Sequence, residues 1–156
     1  MGIVTEYFAA ATDEVAAEAL RLPGGPAAPE DGSPPRFDSV TLPSVDPFVM
    51  LVGLAQALSG RPYGEIAANP RHGALVGSGG DEGPWIVTVT DDLTKDLASV
   101  APARLARVTR DWVRESEPPV PAHRLTSAVL QLAELATRAV ADGRGLYCWT
   151  SLGGVP

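Results

Sequence analysis

The stretch Asp46-Pro47-Phe48-Val49-Met50-Leu51-Val52-Gly53-Leu54-Ala55-Gln56-Ala57-Leu58-Ser59-Gly60 reads as a helix with both ends marked, and the rest of the chain is organised around it. Asp46 can accept a backbone N–H as N-cap. Pro47 suits the first helical position, where its missing donor is no loss, and Gly60 can take the left-handed conformation that ends a helix. On a wheel, Phe48, Met50, Leu51, Leu54 and Leu58 cover most of the circumference, Val49 and Val52 extend it, and Gln56 and Ser59 offer a polar strip. A helix apolar nearly all round belongs inside a fold. At roughly 20 Å it is too short for the roughly 30 Å of a bilayer's hydrocarbon, so no membrane partner is expected. The reading is a largely buried helix over 47–59; its sharper alternative is a hydrophobic face kept for a partner, and a further one is the seam of a homodimer.

Outward from this helix, strands and helices alternate. Ile3 to Ala9 is β-branched and aromatic with period-two alternation, which predicts a first strand. Thr12 caps a helix that stops before Pro23, with Asp13 and Glu14 in its first turn. Residues 23–35 are Pro, Gly, Ala, Glu, Asp and Ser, too poor in large apolar groups to offset their ordering entropy, and predict a mobile loop. Phe37, Val40 and Leu42 anchor its far end. Residues 60–84 read as a second long, irregular, mobile region.

Trp85 to Thr90 is the clearest strand, and Thr90 with Asp91 and Asp92 caps a helix directly after it. A further helix runs from Pro102 to about Glu115. After Pro118 to Pro121, Leu125, Val129, Leu132, Leu135 or Ala136, and Ala139 or Val140 repeat at helical spacing to about Asp142, before Gly143 and Gly145. Leu146 to Thr150 is a last strand, with Tyr147 and Trp149 on one face and Cys148 on the other. The order predicts an α+β fold: three to four strands packed against four to five helices, in one domain spanning 1–156.

The bulk composition limits the function. Apolar content of 45% with 20% charged residues is ordinary for a globular chain, and the 156 residues suffice to bury a core without disulfides or metals. A net charge of −7 argues against nucleic acid or an anionic membrane surface, whose binding rests on phosphate neutralisation by Lys and Arg, so the overall charge predicts no acidic partner and allows a basic one. Cys148 is the one cysteine, which excludes an internal disulfide, and with His72 and His123 it makes no zinc-ligand spacing, so no metal or cofactor is expected. The segment Met1 to Glu6 has no basic or long apolar run that would direct export, and a cytoplasmic protein is expected. Lys95 is the sole lysine among 12 basic residues, a bias that points to a high-GC bacterial genome.

Four features, namely the Met1-Gly2 start leading into a strand, the helix ending Ala57-Leu58-Ser59-Gly60, the Val89-Thr90-Asp91-Asp92-Leu93 helix start and the Ala139…Gly143…Leu146 close, resemble the YfbM-like family of small bacterial proteins of unknown function. The resemblance spans nearly the whole chain and implies an α+β fold. It implies no activity and no catalytic residue.

No catalytic motif is present. Gly73 to Gly83 lacks the Gly-Lys-Ser/Thr ending of a phosphate loop, and Ser78 lacks the glycine spacing of a nucleophile elbow. Cys148 reads as a small buried hydrophobe. The least ordinary feature is on the helix starting at Pro102. Ala101, Leu105, Val108 and Trp112 form its apolar face, while Arg107, Arg110 and Arg114 project from the opposite side with Arg104 at the edge. Asp111, four residues after Arg107, competes for local pairing. The leading expectation is a protein-interaction or regulatory domain, of the toxin-neutralising immunity type among others, using this arginine stripe. The alternative is a small-molecule binder or unrecognised enzyme with a pocket lined by Tyr63, His72, Trp85, Tyr147 and Trp149.

Overall fold

The computed structural model describes residues 3–22, 25–26, 37–42, 45–81, 83–116 and 122–152. Strand β1 (Ile3–Ala10) and strand β5 (Gly145–Leu152), the first and last elements of the chain, pair antiparallel along their whole length, from Ile3 opposite Leu152 to Ala10 opposite Gly145. Strand β4 (Trp85–Thr88) takes the other side of β5. Strand β2 (Ser39–Thr41) lies outside β1 and strand β3 (Leu75–Ser78) outside β4, which gives one antiparallel sheet in the order β2-β1-β5-β4-β3. The fold is α+β as expected, with five strands among the described residues, a slightly higher count than the sequence suggested.

Period-two alternation divides the sheet into two apolar faces. Tyr7, Ala9, Val87, Leu146 and Cys148 point to one side, covered by helices α2 (Met50–Ser59), α4 (Asp91–Ser99), α5 (Pro102–Ser116) and α6 (Ala122–Ala141). Phe8, Ala10, Ile86, Tyr147 and Trp149 point to the other, covered by helix α1 (Asp13–Ala17), the 3-10 turn Glu18–Arg21 that continues it, and Phe37. The helical side is the larger core. In α6, Val129, Leu132, Leu135 and Ala136 are wholly buried, as their spacing predicted. The expected caps are in place: Thr12 accepts from the Val15 N–H at 3.1 Å and Thr90 from the Leu93 N–H at 3.2 Å.

The organising helix differs in one respect. The Asp46 carboxylate accepts from the N–H groups of Phe48, Val49 and Met50 at 2.9, 2.8 and 3.2 Å. It thereby curls Pro47 to Val49 into a turn ahead of α2 and leaves Phe48 and Val49 47% and 63% exposed. Leu51, Val52, Leu54 and Ala55 are buried, and Gly60 ends the helix at φ 75°. The large apolar groups of 47–59 that stay exposed outside this burial are Phe48 and Val49 at its start.

Residues 60–84, expected as one irregular loop, hold helix α3 (Tyr63–Ala67) and strand β3. Each is too short to stand alone. α3 is held by burial of Ile66 and β3 by its ladder with β4. The expected mobile loop at 23–35 lies outside the described residues apart from Gly25 and Pro26. On α5 the buried side is Leu105, Thr109 and Trp112, whereas Ala101 is exposed and Val108 half-buried. Thr109 enters the core because its hydroxyl donates to the Leu105 carbonyl at 2.7 Å and carries no unmet polar group inside.

Trp112 joins α5 to α2. A Cβ at Gly53 would stand 2.7 Å from Trp112 Nε1, so the indole reaches the α2 backbone through the missing side chain. Gly53→Val is expected to lower the unfolding free energy by about 2 kcal/mol, since neither the rigid indole nor the helix can yield. Urea denaturation checks this, and an unchanged midpoint would mean that the two helices separate freely.

Candidate functional site

The arginine stripe keeps its place in three dimensions. With Leu105, Thr109 and Trp112 turned into the core, helical geometry sends Arg107 and Arg114 to the opposite side of α5, flanked by Arg110 and Arg104, and all four are exposed. Asp111 approaches Arg114 at 3.8 Å, a long contact between side chains 61% and 79% exposed. Among the described residues, Arg104, Arg107 and Arg110 have no carboxylate within ion-pair distance. Other arginines do have one: Arg61 meets Asp92 at 2.8 Å, Arg71 meets Asp13 at 2.8 Å, and Arg138 meets Asp38 at 2.6 Å. These three pairs tie separate elements together. Among the described residues the α5 arginines tie no second element to their helix, and their charge is directed outward.

The pocket residues expected from sequence are not brought together. Trp85 lies on the helical side of the sheet, Tyr147 and Trp149 on the other, and Tyr63 stands 48% exposed on α3. His72 is half-buried, with its backbone N–H donating to the Asn69 carbonyl at 2.9 Å. Among the described residues Trp149 Nε1 is buried without a hydrogen-bond partner. Cys148 is wholly buried against Tyr7 in the sheet, and burial pushes both its thiol and the Tyr7 phenol well above their ordinary pKa values. A thiol held protonated in this way is a packing group.

Three other arrangements were not legible in the sequence. Arg71 donates to both oxygens of Asp13 at 2.8 Å, across 58 residues of chain, and the Tyr147 hydroxyl donates to Asp13 Oδ1 at 2.7 Å. These bonds hold the Asp13 carboxyl down at about 2, while burial and the bond to Asp13 raise Tyr147 to about 12. Second, a cleft of about 320 Å³ opens between the end of α2, α3 and the start of α4, where Arg61 sits among Asp92, Asp96 and Glu65. Third, a groove of about 290 Å³ is lined by Phe48, Gly73, Leu75, Trp85, Val87 and Thr150. No spacing rule links residues such as Asp13 and Arg71, because their meeting depends on the sheet order.

Among the described residues no His, Cys, Asp and Glu form a group able to hold a metal ion, and no helix is long and apolar enough to cross a membrane. No known protein family, curated protein or solved structure matches the chain. Of the arrangements above, the α5 face combines exposure, an excess of positive charge interrupted by Asp111, and, among the described residues, no ion pair to another element, which makes it the candidate site.

The Asp13 cluster makes its own predictions. Tyr147→Phe is expected to cost about 1 kcal/mol, the usual worth of one hydrogen bond to a charged acceptor in a half-wet setting. A carboxyl lowered on folding stabilises above its unfolded pKa, and that contribution fades as pH falls from about 4 towards 2. The stability difference between the wild type and Asp13→Asn should therefore shrink over that window. It should stay below about 1 kcal/mol, because the pair is partly exposed to solvent screening. Urea titrations at stepped pH read both effects, and a constant difference from pH 5 to pH 2 would contradict the assignment.

Proposed function

We propose that the chain is a cytosolic protein-interaction domain of the regulatory kind, and that the arginine face of α5 is its docking surface for an acidic protein partner. The observation that carries this reading is the contrast between Arg104, Arg107, Arg110 and Arg114, exposed and largely without internal carboxylates, and the three arginines whose ion pairs hold the fold together. Arginine suits the task. Its planar fork meets carboxylates with two hydrogen bonds, and a row of them steers an oppositely charged surface into register.

A protein is favoured over a nucleic acid because the molecule as a whole carries −7, so a long polyanion would be repelled beyond the reach of one helix. A compact acidic patch can meet α5 without passing over the rest of the surface. An immunity-type role is one form of this reading, in which docking on α5 neutralises the partner. Descent from the YfbM-like family is proposed alongside it, supported by the α+β architecture and the matching helix ends, and it supplies no activity of its own.

Capture from native lysate by the tagged chain tests the proposal, with salt dependence and charge reversal as the readout. The wild type should retain a partner that leaves as ionic strength rises. Arg107→Glu with Arg114→Glu should reduce its recovery about tenfold, since each reversal turns an attraction into a repulsion at the rim of the contact. The double variant should keep the wild-type thermal midpoint because both side chains lie in water. Equal recovery by the two proteins would remove α5 from the interface and with it this reading.

A further inference from the structure

Residues 61–78 pass round the β4 side of the sheet with little burial to hold them. Between Arg61 and Ser78 the one buried side chain is Ile66, whereas in β5 the successive residues Leu146 to Thr150 are all buried. Ile66 joins the core under the helices and Val76 packs against the opposite core, so the segment touches both faces of the sheet. Burial this thin places a segment at the low end of the range of local stability within a fold.

Polar ties hold it instead. At its start Arg61 meets Asp92 of α4 at 2.8 Å, and in its middle Arg71 donates to both oxygens of Asp13 at 2.8 Å. Thr88 of β4 is a third anchor. Its hydroxyl donates to the Arg71 carbonyl and accepts from the Ala74 N–H at 3.1 Å, and its backbone carbonyl accepts from the Gly73 N–H at 3.1 Å. The turn between α3 and β3 is closed on itself: the Asn69 side chain accepts from the Arg71 N–H at 2.8 Å, and the Asn69 carbonyl from the His72 N–H at 2.9 Å. α3 is thus coupled to β3 by hydrogen bonds rather than by a slack linker. The two ends, by contrast, are free to turn. Gly60 and Gly80 have φ of 75° and 145°, and a Cβ at either would meet nothing nearer than 4.0 Å.

We propose that residues 61–78 are a strap that opens as one unit, hinged at Gly60 and Gly80 and buckled by the Arg61–Asp92 and Arg71–Asp13 pairs, while the rest of the sheet stays folded. Opening gives up one buried side chain and the short β3–β4 ladder. β4 keeps β5 as its neighbour on the other side, and the β1–β5 pairing is untouched. The open form uncovers the outer edge of β4 and the apolar seat of Ile66 in the helical core, both hidden in the closed form. The strap shares no residue with the α5 face, so the two readings stand or fall separately.

Hydrogen exchange of the purified full chain, followed amide by amide by NMR, reads the opening directly. The Ile66, Ala68, Gly73 and Ala74 amides, hydrogen-bonded in the closed form, should share one protection, roughly 100-fold weaker than that of the β1–β5 ladder. Arg61→Ala should speed all of them about threefold, although Arg61 lies at the α3 end, and Arg71→Ala should do the same. Val129→Ala removes a wholly buried group from the core of α6. It should speed exchange in the β1–β5 ladder by about tenfold and leave the strap amides unchanged. Equal protection in strap and ladder would mean that the strap opens only with the whole molecule, and overturns the proposal. So does strap exchange that follows Val129→Ala, a response to Arg61→Ala confined to α3, or indifference to both arginine variants.

Discussion

The pairing of β1 with β5 is the interaction on which the rest of the structure depends. It joins the two ends of the described chain along eight residue pairs and places the last strand at the centre of the sheet, between β1 and β4. Until these ends meet, β4 has no neighbour on one side, and neither apolar face exists as a surface. Such a contact must overcome loop-closure entropy across nearly the whole chain before it is rewarded by burial. The compensation is large because both faces of β5 are covered: Cys148 and Leu146 on one side, Tyr147 and Trp149 on the other.

The two faces are filled by different means. Long helices cover one, and their apolar stripes follow from spacing alone. The other is covered by the five-residue α1, its 3-10 continuation and Phe37, elements too short to hold themselves. Polar ties supplement them: Arg71 and Tyr147 converge on Asp13 at the start of α1, and the Thr88 hydroxyl donates to the Arg71 carbonyl, fixing the chain that leads into β3. Arg138 of α6 binds Asp38 beside β2 in the same manner. Ion pairs in this molecule thus fasten sheet edges and short elements, where apolar burial is thin.

That division of labour separates structure from function on the surface. A charge that meets its opposite within the fold is consumed by the fold. The α5 arginines project from a helix already anchored by Leu105, Thr109 and Trp112, so the helix needs nothing from them. Phe48 and Leu75 are also exposed, and they line a groove on the helical face of the sheet with Trp85, Val87 and Thr150. One surface offers charge and the other exposed apolar area, two kinds of complementarity through which a small domain meets other chains.

The sequence by itself determined the elements whose signals are local. The α6 spacing, the Thr12 and Thr90 caps, the Gly60 stop, the alternation of β1 and β5, the burial of Cys148 and the outward direction of the α5 arginines all follow from periods of 3.6 and 2 and from single side-chain hydrogen bonds. Only the tertiary structure decided what depends on distant partners. β2, β3 and α3 are too short to be stable alone and exist because β1, β4 and the helical core hold them. Thr109 lies inside because α5 is pressed against a core. Trp85 was separated from Tyr147 and Trp149 because neighbouring strands impose a common pleat, so rings that composition would gather into one pocket fall on opposite faces of a sheet. Periodicity is a property of a few consecutive residues, whereas strand order and ion pairs between remote residues are settled by which arrangement buries both faces of β5 at once.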